Sequence, residues 1–139
     1  MPGGKRELIH VVIDTNVLVS AMISRSGKPA EIIQHMINKT IIPCYDHRIL
    51  REYIEVLNRP RFGFTQSEIQ EILILIRYDG LSVVPAPFDI TFTDEPDKAF
   101  YETALFCRAN LITGNKKHYP QDSFIVTPAE FLEKFVNYL

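Results

Sequence analysis

The 139-residue sequence has few cysteines, no long apolar segment and almost no net charge. Its two cysteines, Cys44 and Cys107, lie far apart in apolar surroundings, which favours a reduced, buried pair over a disulfide or a zinc site. No apolar run approaches the ~20 residues that span a bilayer, so we expect a cytoplasmic protein without a membrane segment. The net charge of −2 excludes a strongly basic protein, so any site for a polyanion must be a local basic patch.

The sequence also lacks repeats, low-complexity tracts and any sign of a second domain. A hydrophobic content of 46% and a charged content of 23% are typical of an ordinary globular chain of one domain. The short polar start of the chain does not have the pattern of a signal peptide. We therefore expect a flexible N-terminus over residues 1–7 and one domain over residues 8–139.

Apolar runs and helical repeats alternate along the chain, which predicts an α/β protein. The fold class that follows is a three-layer α/β/α sandwich with a mainly parallel central sheet of about five strands. The predicted strands are Leu8–Ile13, Thr40–Pro43, Leu81–Val84, Asn110–Thr113 and Phe124–Val126. The predicted helices are Val17–Ser24, a helix that begins at Pro29, His47–Asn58, Glu68–Tyr78, Asp97–Ala109 and Ala129–Tyr138.

Acidic and amide side chains fall near the expected carboxyl edge of this sheet, where open α/β proteins bind ligands. Asp14 directly follows the first strand, and Asn115 comes two residues after the strand that ends at Thr113. Asp97 at a helix start and Glu52 beside a buried helix face complete the candidate set. Clustered carboxylates repel one another unless a cation or protons neutralise them, so the set indicates a site for a hard cation.

Each of these residues also has a purely structural interpretation. Asp14 could be the N-cap of the next helix, and Asp94 or Asp97 could cap a later helix and interact with its dipole. Glu52 taken alone fits a solvated helix position, and Asn115 fits a turn. The spacing of these residues does not decide between the two interpretations.

Four segments, in this order, resemble the PIN-domain family, and in particular its VapC-like toxin branch. They are VVIDTNVLVSAM (11–22), ILREYIEVLNRPRF (49–62), DEPDKAFYETALFCRANLITGNKKHYP (94–120) and IVTPAEFL (125–132). The resemblance implies a metal-dependent ribonuclease whose acidic residues fall on Asp14, Glu52 and Asp97. The family's fourth position, often Asp, is Asn115 here, which keeps an oxygen ligand but adds no negative charge.

The chemistry implied by the resemblance is hydrolysis of RNA phosphodiester bonds with Mg²⁺ or Mn²⁺. Asp14 and Asp97 would bind metal, Glu52 would bind metal or position the water, and Asn115 would orient water or phosphate. The remaining expected site residues are neighbours of the phosphate and one auxiliary acid. The neighbours are the hydroxyl residues Thr15 and Thr113 and the basic residues Lys116 and Lys117, and the auxiliary acid is Asp94. The expected partners are RNA, a cognate antitoxin protein and a second copy of the chain in a homodimer.

Two other functions compete with a nuclease. A phosphohydrolase with a nucleophilic Asp14 would resemble Asp-x-Asp, but the second position is Asn16 and no cap domain is evident. A catalytically weak or inactive RNA-binding or scaffold protein on the same fold is compatible with Asn115 and with the nearly neutral charge. Cleavage that depends on added metal separates the nuclease from this second alternative.

Overall fold

The computed structural model describes residues 8–87, 92 and 95–136. Within these residues the strands are β1 (Ile9–Ile13), β2 (Ile41–Tyr45), β3 (Leu81–Ser82), β4 (Asn110–Ile112) and β5 (Ile125–Val126). The helices are α1 (Thr15–Ile23), α2 (Lys28–Ile37), α3 (His47–Leu57), α4 (Gln66–Asp79), α5 (Glu95–Cys107) and α6 (Pro128–Val136). Short 3₁₀ turns occur at Pro60–Phe62 and Lys116–His118.

The strands form one parallel sheet in the order β3-β2-β1-β4-β5. Successive side chains of a strand point to opposite faces, and Val11, Val12 and Ile13 of β1 are all buried. Both faces of the sheet are therefore covered: α5 packs on β1, β2 and β4, while α2 packs on β2 and α6 packs on β4 and β5. The predicted three-layer α/β fold is confirmed.

The topological switch point of this sheet lies between β1 and β4. The chain leaves β1 towards β2 and β3 on one side, and it returns through α5 to β4 on the other side of β1. Connections that diverge in this way leave a crevice at the carboxyl ends of the two central strands. Residues that follow β1 and β4 directly therefore face a common space.

Several predicted boundaries differ from the structure by one or two residues, and two of these differences lie at a proline. Helix α5 begins at Glu95 rather than Asp97, because Pro96 lies in the first turn, where its missing N–H costs no helical hydrogen bond. Strand β2 continues past Pro43 to Tyr45. Its neighbour β3 pairs only with Cys44 and Tyr45, so Pro43 is bordered by β1 alone and is tolerated as at a sheet edge.

The two cysteines are free thiols, and they differ in burial. Cys44 is buried as predicted, whereas Cys107 at the end of α5 is half-buried. Burial and, secondly, the neighbouring Cys107 raise the pKa of the Cys44 thiol. Among the described helices, none is both long enough and apolar enough to cross a membrane.

A carboxylate pair at the switch point

Asp14 lies at the carboxyl end of β1 and serves two structural purposes. It is the N-cap of α1, and its Oδ1 lies 3.4 Å from the amide nitrogen of Asn16, a long and weak contact. Its own N–H donates to the carbonyl of Ile112 at 3.0 Å, which ties it to the end of β4. The N-cap interpretation is confirmed, and the cap uses only one of the two carboxylate oxygens.

That second oxygen, Oδ2, accepts hydrogen bonds from two hydroxyl groups. Thr113 Oγ1 donates to it at 2.8 Å, and Tyr119 Oη lies 3.2 Å away. Thr113 follows β4, and its hydroxyl in turn accepts the backbone N–H of Asn115 at 3.0 Å. This chain of donors holds the Asp14 carboxylate at the switch point.

Tyr119 also connects Asp14 to Asp97. Its hydroxyl oxygen lies 3.3 Å from Asp97 Oδ1, so two nearly buried carboxylates approach the same phenol. Burial, followed by the charges of Asp14 and Asp97, raises the pKa of Tyr119 well above its ordinary value. The phenol therefore stays protonated, and its single proton can be donated to only one carboxylate at a time.

This donor set fits a hard cation. Two carboxylates converge on one neutral hydroxyl, and His118 Nδ1 lies 3.6 Å from Asp97 Oδ2, an ion pair only when the exposed imidazole is protonated. Across residues 8–87, 92 and 95–136, no three His, Cys, Asp or Glu side chains form a group that could hold a metal ion. Mg²⁺ commonly binds through one or two carboxylates, with water and substrate phosphate completing its shell, so a pair is sufficient.

Glu52 lies on α3 next to a residue that anchors this helix to the site. The adjacent Tyr53 is buried, and its hydroxyl donates to the carbonyl of Ile13, the residue before Asp14. Burial and the Asp14 charge raise the pKa of Tyr53, so it too remains a neutral donor. The half-buried Glu52 therefore sits on a helix fixed beside the end of β1, and its predicted part in metal binding stays a prediction.

The remaining predicted site residues differ in burial and in their contacts. Thr15 is buried directly after Asp14, and its Oγ1 has no hydrogen-bond partner among the described residues. Asn115, Lys116 and Lys117 are exposed in the loop after β4, where Lys116 Nζ contacts Glu130 Oε1 at 3.1 Å. Asp94 lies outside the described residues.

Sequence reasoning missed Tyr119, which joins the two carboxylates. Its only local signal is its place in the Thr113–Pro120 segment that follows β4, close to Asn115 in sequence. The hydroxyl reaches Asp14 across 105 positions of the chain, so no local pattern could have indicated the contact.

The fold and the site define a class: a parallel α/β protein with paired carboxylates at the switch point of its sheet. The chain belongs to the PIN-domain family, whose sequence model, described as PIN domain, matches residues 10–117. That range includes Asp14, Glu52 and Asp97, and membership implies nuclease activity in general. The chain is also similar to an uncharacterized protein of Methanocaldococcus jannaschii, MJ1680, with 29% identity over 147 aligned residues that cover 94% of each chain.

Replacing Tyr119 by phenylalanine tests how its hydroxyl affects the binding of a cation. We expect Tyr119→Phe to lower the stability of the metal-free protein by about 1–2 kcal/mol, because it removes a hydrogen bond to a carboxylate. The same change should tighten Mn²⁺ binding several-fold. Without the hydroxyl, the repulsion between Asp14 and Asp97 is stronger in the metal-free protein, and a bound cation relieves it. Calorimetric titration with Mn²⁺ and thermal unfolding measure the two effects. Weaker Mn²⁺ binding would instead show that the phenol oxygen is a ligand.

Proposed function

We propose that the protein is a divalent-metal-dependent endoribonuclease and the toxin component of a toxin–antitoxin module. The observation that carries this proposal is the approach of Asp14 and Asp97 to one hydroxyl group at the switch point. Membership of the PIN-domain family supports a nuclease. The narrower assignment rests on the resemblance of the sequence motifs to those of VapC-like toxins. A bound Mg²⁺ or Mn²⁺ would activate a water and offset the charge that builds on the phosphate oxygens.

The protein's own residues then hold and orient the reacting groups. Asp14 and Asp97 hold the cation, and Glu52 on the anchored α3 binds it too or positions the attacking water. Thr113 keeps the Asp14 carboxylate in place through its 2.8 Å hydrogen bond. Thr15 directly follows Asp14, and its expected contact with a phosphate oxygen stays a prediction because its hydroxyl is buried.

Removing and restoring metal tests the proposed activity. We expect cleavage of single-stranded RNA to stop in excess EDTA and to return when Mg²⁺ or Mn²⁺ is added in excess of the chelator. Labelled RNA resolved on a denaturing gel measures the effect, and a heat-inactivated sample controls for contaminating nucleases. Cleavage that persists in EDTA contradicts metal dependence. RNA binding without cleavage at any metal concentration favours the scaffold alternative.

The loop after β4 supplies the proposed contacts to the RNA backbone. Lys116 and Lys117 are exposed there, and Lys116 is held by Glu130, which also accepts the backbone N–H of Thr127. RNA must therefore displace a surface ion pair, which is a small cost because exposed pairs contribute at most about 1 kcal/mol.

We expect Lys116→Ala/Lys117→Ala to weaken RNA binding most at low salt. The slope of log K against log [salt] should become shallower by about 0.7 for each phosphate that the variant no longer neutralises. Fluorescence anisotropy across a salt series measures it. Glu130→Gln is the matched control, because it frees Lys116 while glutamine can still accept the backbone N–H of Thr127. An unchanged slope in the double variant would remove these lysines from the RNA site.

The toxin assignment includes two protein partners. An antitoxin segment would cover the same crevice, and growth arrest on expression, relieved by a co-expressed neighbouring gene product, would support it. For a homodimer, α4 presents exposed Ile74 and Tyr78 one helical turn apart, an apolar surface of the kind that a second copy can bury. Light scattering of the purified protein decides between monomer and dimer.

A further inference from the structure

A second polar cluster lies at the carboxyl end of β2, next to the carboxylate pair. The register pairs Ile9 with Ile41, and continued past the ends of both strands it brings Asp14 level with Asp46, one residue beyond each strand. Neighbouring strands lie about 4.8 Å apart, so the two strand ends open onto adjacent parts of the same edge. Asp46 is buried and caps α3 through its 2.9 Å contact with the Ile49 N–H.

Arg48 is held rigidly in this cluster by two buried carboxylates. Its Nε donates to Asp46 Oδ2 and its Nη1 donates to Glu102 Oε1, both at 2.7 Å. Burial alone would lower the pKa of Arg48, but the hydrogen bonds to Glu102 and Asp46 raise it. A guanidinium has five N–H groups, so three remain after these two bonds. The side chain is 35% exposed, which leaves part of the guanidinium accessible from outside.

A cleft of about 280 Å³ opens beside this guanidinium. One wall is formed by Val84, Pro85 and Pro87, and Val84 is 86% exposed. Another part of the lining is the α5 face that carries Glu95, Lys98 and Glu102, at spacings of three and four residues. Lys98 directly follows Asp97, so the first turn of α5 belongs to both the cleft and the carboxylate pair.

The size and the charge of the cleft limit what it can bind. Its volume is just below the roughly 300–1,000 Å³ of sites for drug-sized ligands, which suits one planar ring system. Its lining carries three carboxylates, which at least balance the basic side chains of Arg48, Lys98 and His47, so it has no surplus positive charge for a phosphate. The apolar wall and the fixed N–H groups instead suit the face and the acceptor edge of an uncharged base.

We propose that this cleft binds a guanine base of the RNA strand beside the bond to be cleaved, an inference that rests on the proposed ribonuclease function. Arginine donates in pairs to the O6 and N7 acceptors of guanine, whereas adenine presents one acceptor and one donor at that edge. Guanine also carries N–H donors on its adjacent Watson–Crick edge, and the exposed carboxylate of Glu95 lines the cleft and can accept them. Arg48 is thus a specificity-determining residue.

Binding of short RNAs in EDTA tests this inference without cleavage. The probes are labelled pentanucleotides, UUGUU, UUAUU, UUCUU and UUUUU, measured by fluorescence anisotropy. We expect the wild-type protein to bind UUGUU about tenfold more tightly than the others, as for one good paired contact. Arg48→Lys, which keeps the charge, and Val84→Asp, which changes the wall without touching the ion pairs, should each reduce this ratio to about twofold or less. Arg51→Lys on the exposed side of α3 is the control and should keep it.

Ratios between probes do not depend on the fraction of folded protein, so partial unfolding of Arg48→Lys does not obscure the result. Equal binding of all four probes by the wild-type protein, or a guanine preference that survives both Arg48→Lys and Val84→Asp, overturns the inference. Sequencing the ends of a cleaved random RNA pool then distinguishes the two proposals. Cuts without enriched guanine support the ribonuclease and reject the guanine site. Guanine-selective binding without metal-dependent cuts supports the guanine site and rejects the ribonuclease.

Discussion

Asp14→Asn is expected to lower the rate of metal-dependent RNA cleavage by about 10³-fold, equivalent to about 4 kcal/mol of transition-state stabilisation. The substitution removes one of the two charges proposed to hold the cation, while asparagine still offers an oxygen to Thr113 and Tyr119. The fold should therefore survive, with a change in stability within about 1 kcal/mol. Single-turnover cleavage at saturating Mg²⁺ and urea denaturation measure the two quantities.

The control for this variant is Glu71→Gln, which removes a carboxylate from an exposed position of α4. It should cleave RNA at the wild-type rate. Calorimetric titration should show that Mn²⁺ binding is weakened in Asp14→Asn and unchanged in Glu71→Gln. Full metal-dependent cleavage by Asp14→Asn would falsify the proposed metal site, whatever the stability data show.

Arg48→Met is expected to have the largest effect on stability, a loss of about 3 kcal/mol in the free energy of unfolding. The substitution leaves Asp46 and Glu102 without their shared cation, although their side chains are only 1% and 2% exposed. Removing one partner of a buried ion pair costs about 3–5 kcal/mol. Because Arg48 is 35% exposed, water can reach the carboxylates, so we expect a loss near the lower limit of this range. Urea denaturation measures it.

Arg51→Met provides a matched control on the same helix, because Arg51 is exposed. Its stability should stay within about 0.5 kcal/mol of the wild-type protein. The double variant Arg48→Met/Glu102→Met should recover part of the loss, since it also removes one of the two buried carboxylates that Arg48 contacts. Equal destabilisation by Arg48→Met and Arg51→Met would show that the buried carboxylates do not depend on Arg48.

Local patterns were sufficient to predict the class of fold. The continuous apolar run of β1, with Val11, Val12 and Ile13 all buried, predicted a strand covered on both faces. At the start of α4 the side chain of Thr65 forms a capping box with Glu68, three positions along the chain. These features depend on residues a few positions apart, so the sequence alone reveals them. The boundaries at Pro43 and Pro96 were missed because proline's tolerance there depends on neighbouring strands or on position within a helical turn.

The site could be predicted only in part. Asp14 was expected at a strand end, and the PIN-like motifs pointed to Asp97 and Glu52, but no pattern indicated the hydroxyl of Tyr119 between Asp14 and Asp97. The same holds for Arg48, whose role no local pattern indicated. Its contact with Glu102 joins residues 54 positions apart, and it depends on how α3 packs against α5.

Sequence patterns are enough to establish the alternation of strands and helices, the place of Asp14 at the end of a buried strand and the family of the chain. Which side chains meet is a property of the folded chain: Asp14 with Thr113 and Tyr119, and Arg48 with Asp46 and Glu102. The difference arises because apolar periodicity acts within one element, whereas these contacts form where β4 returns beside β1 and α5 crosses the sheet.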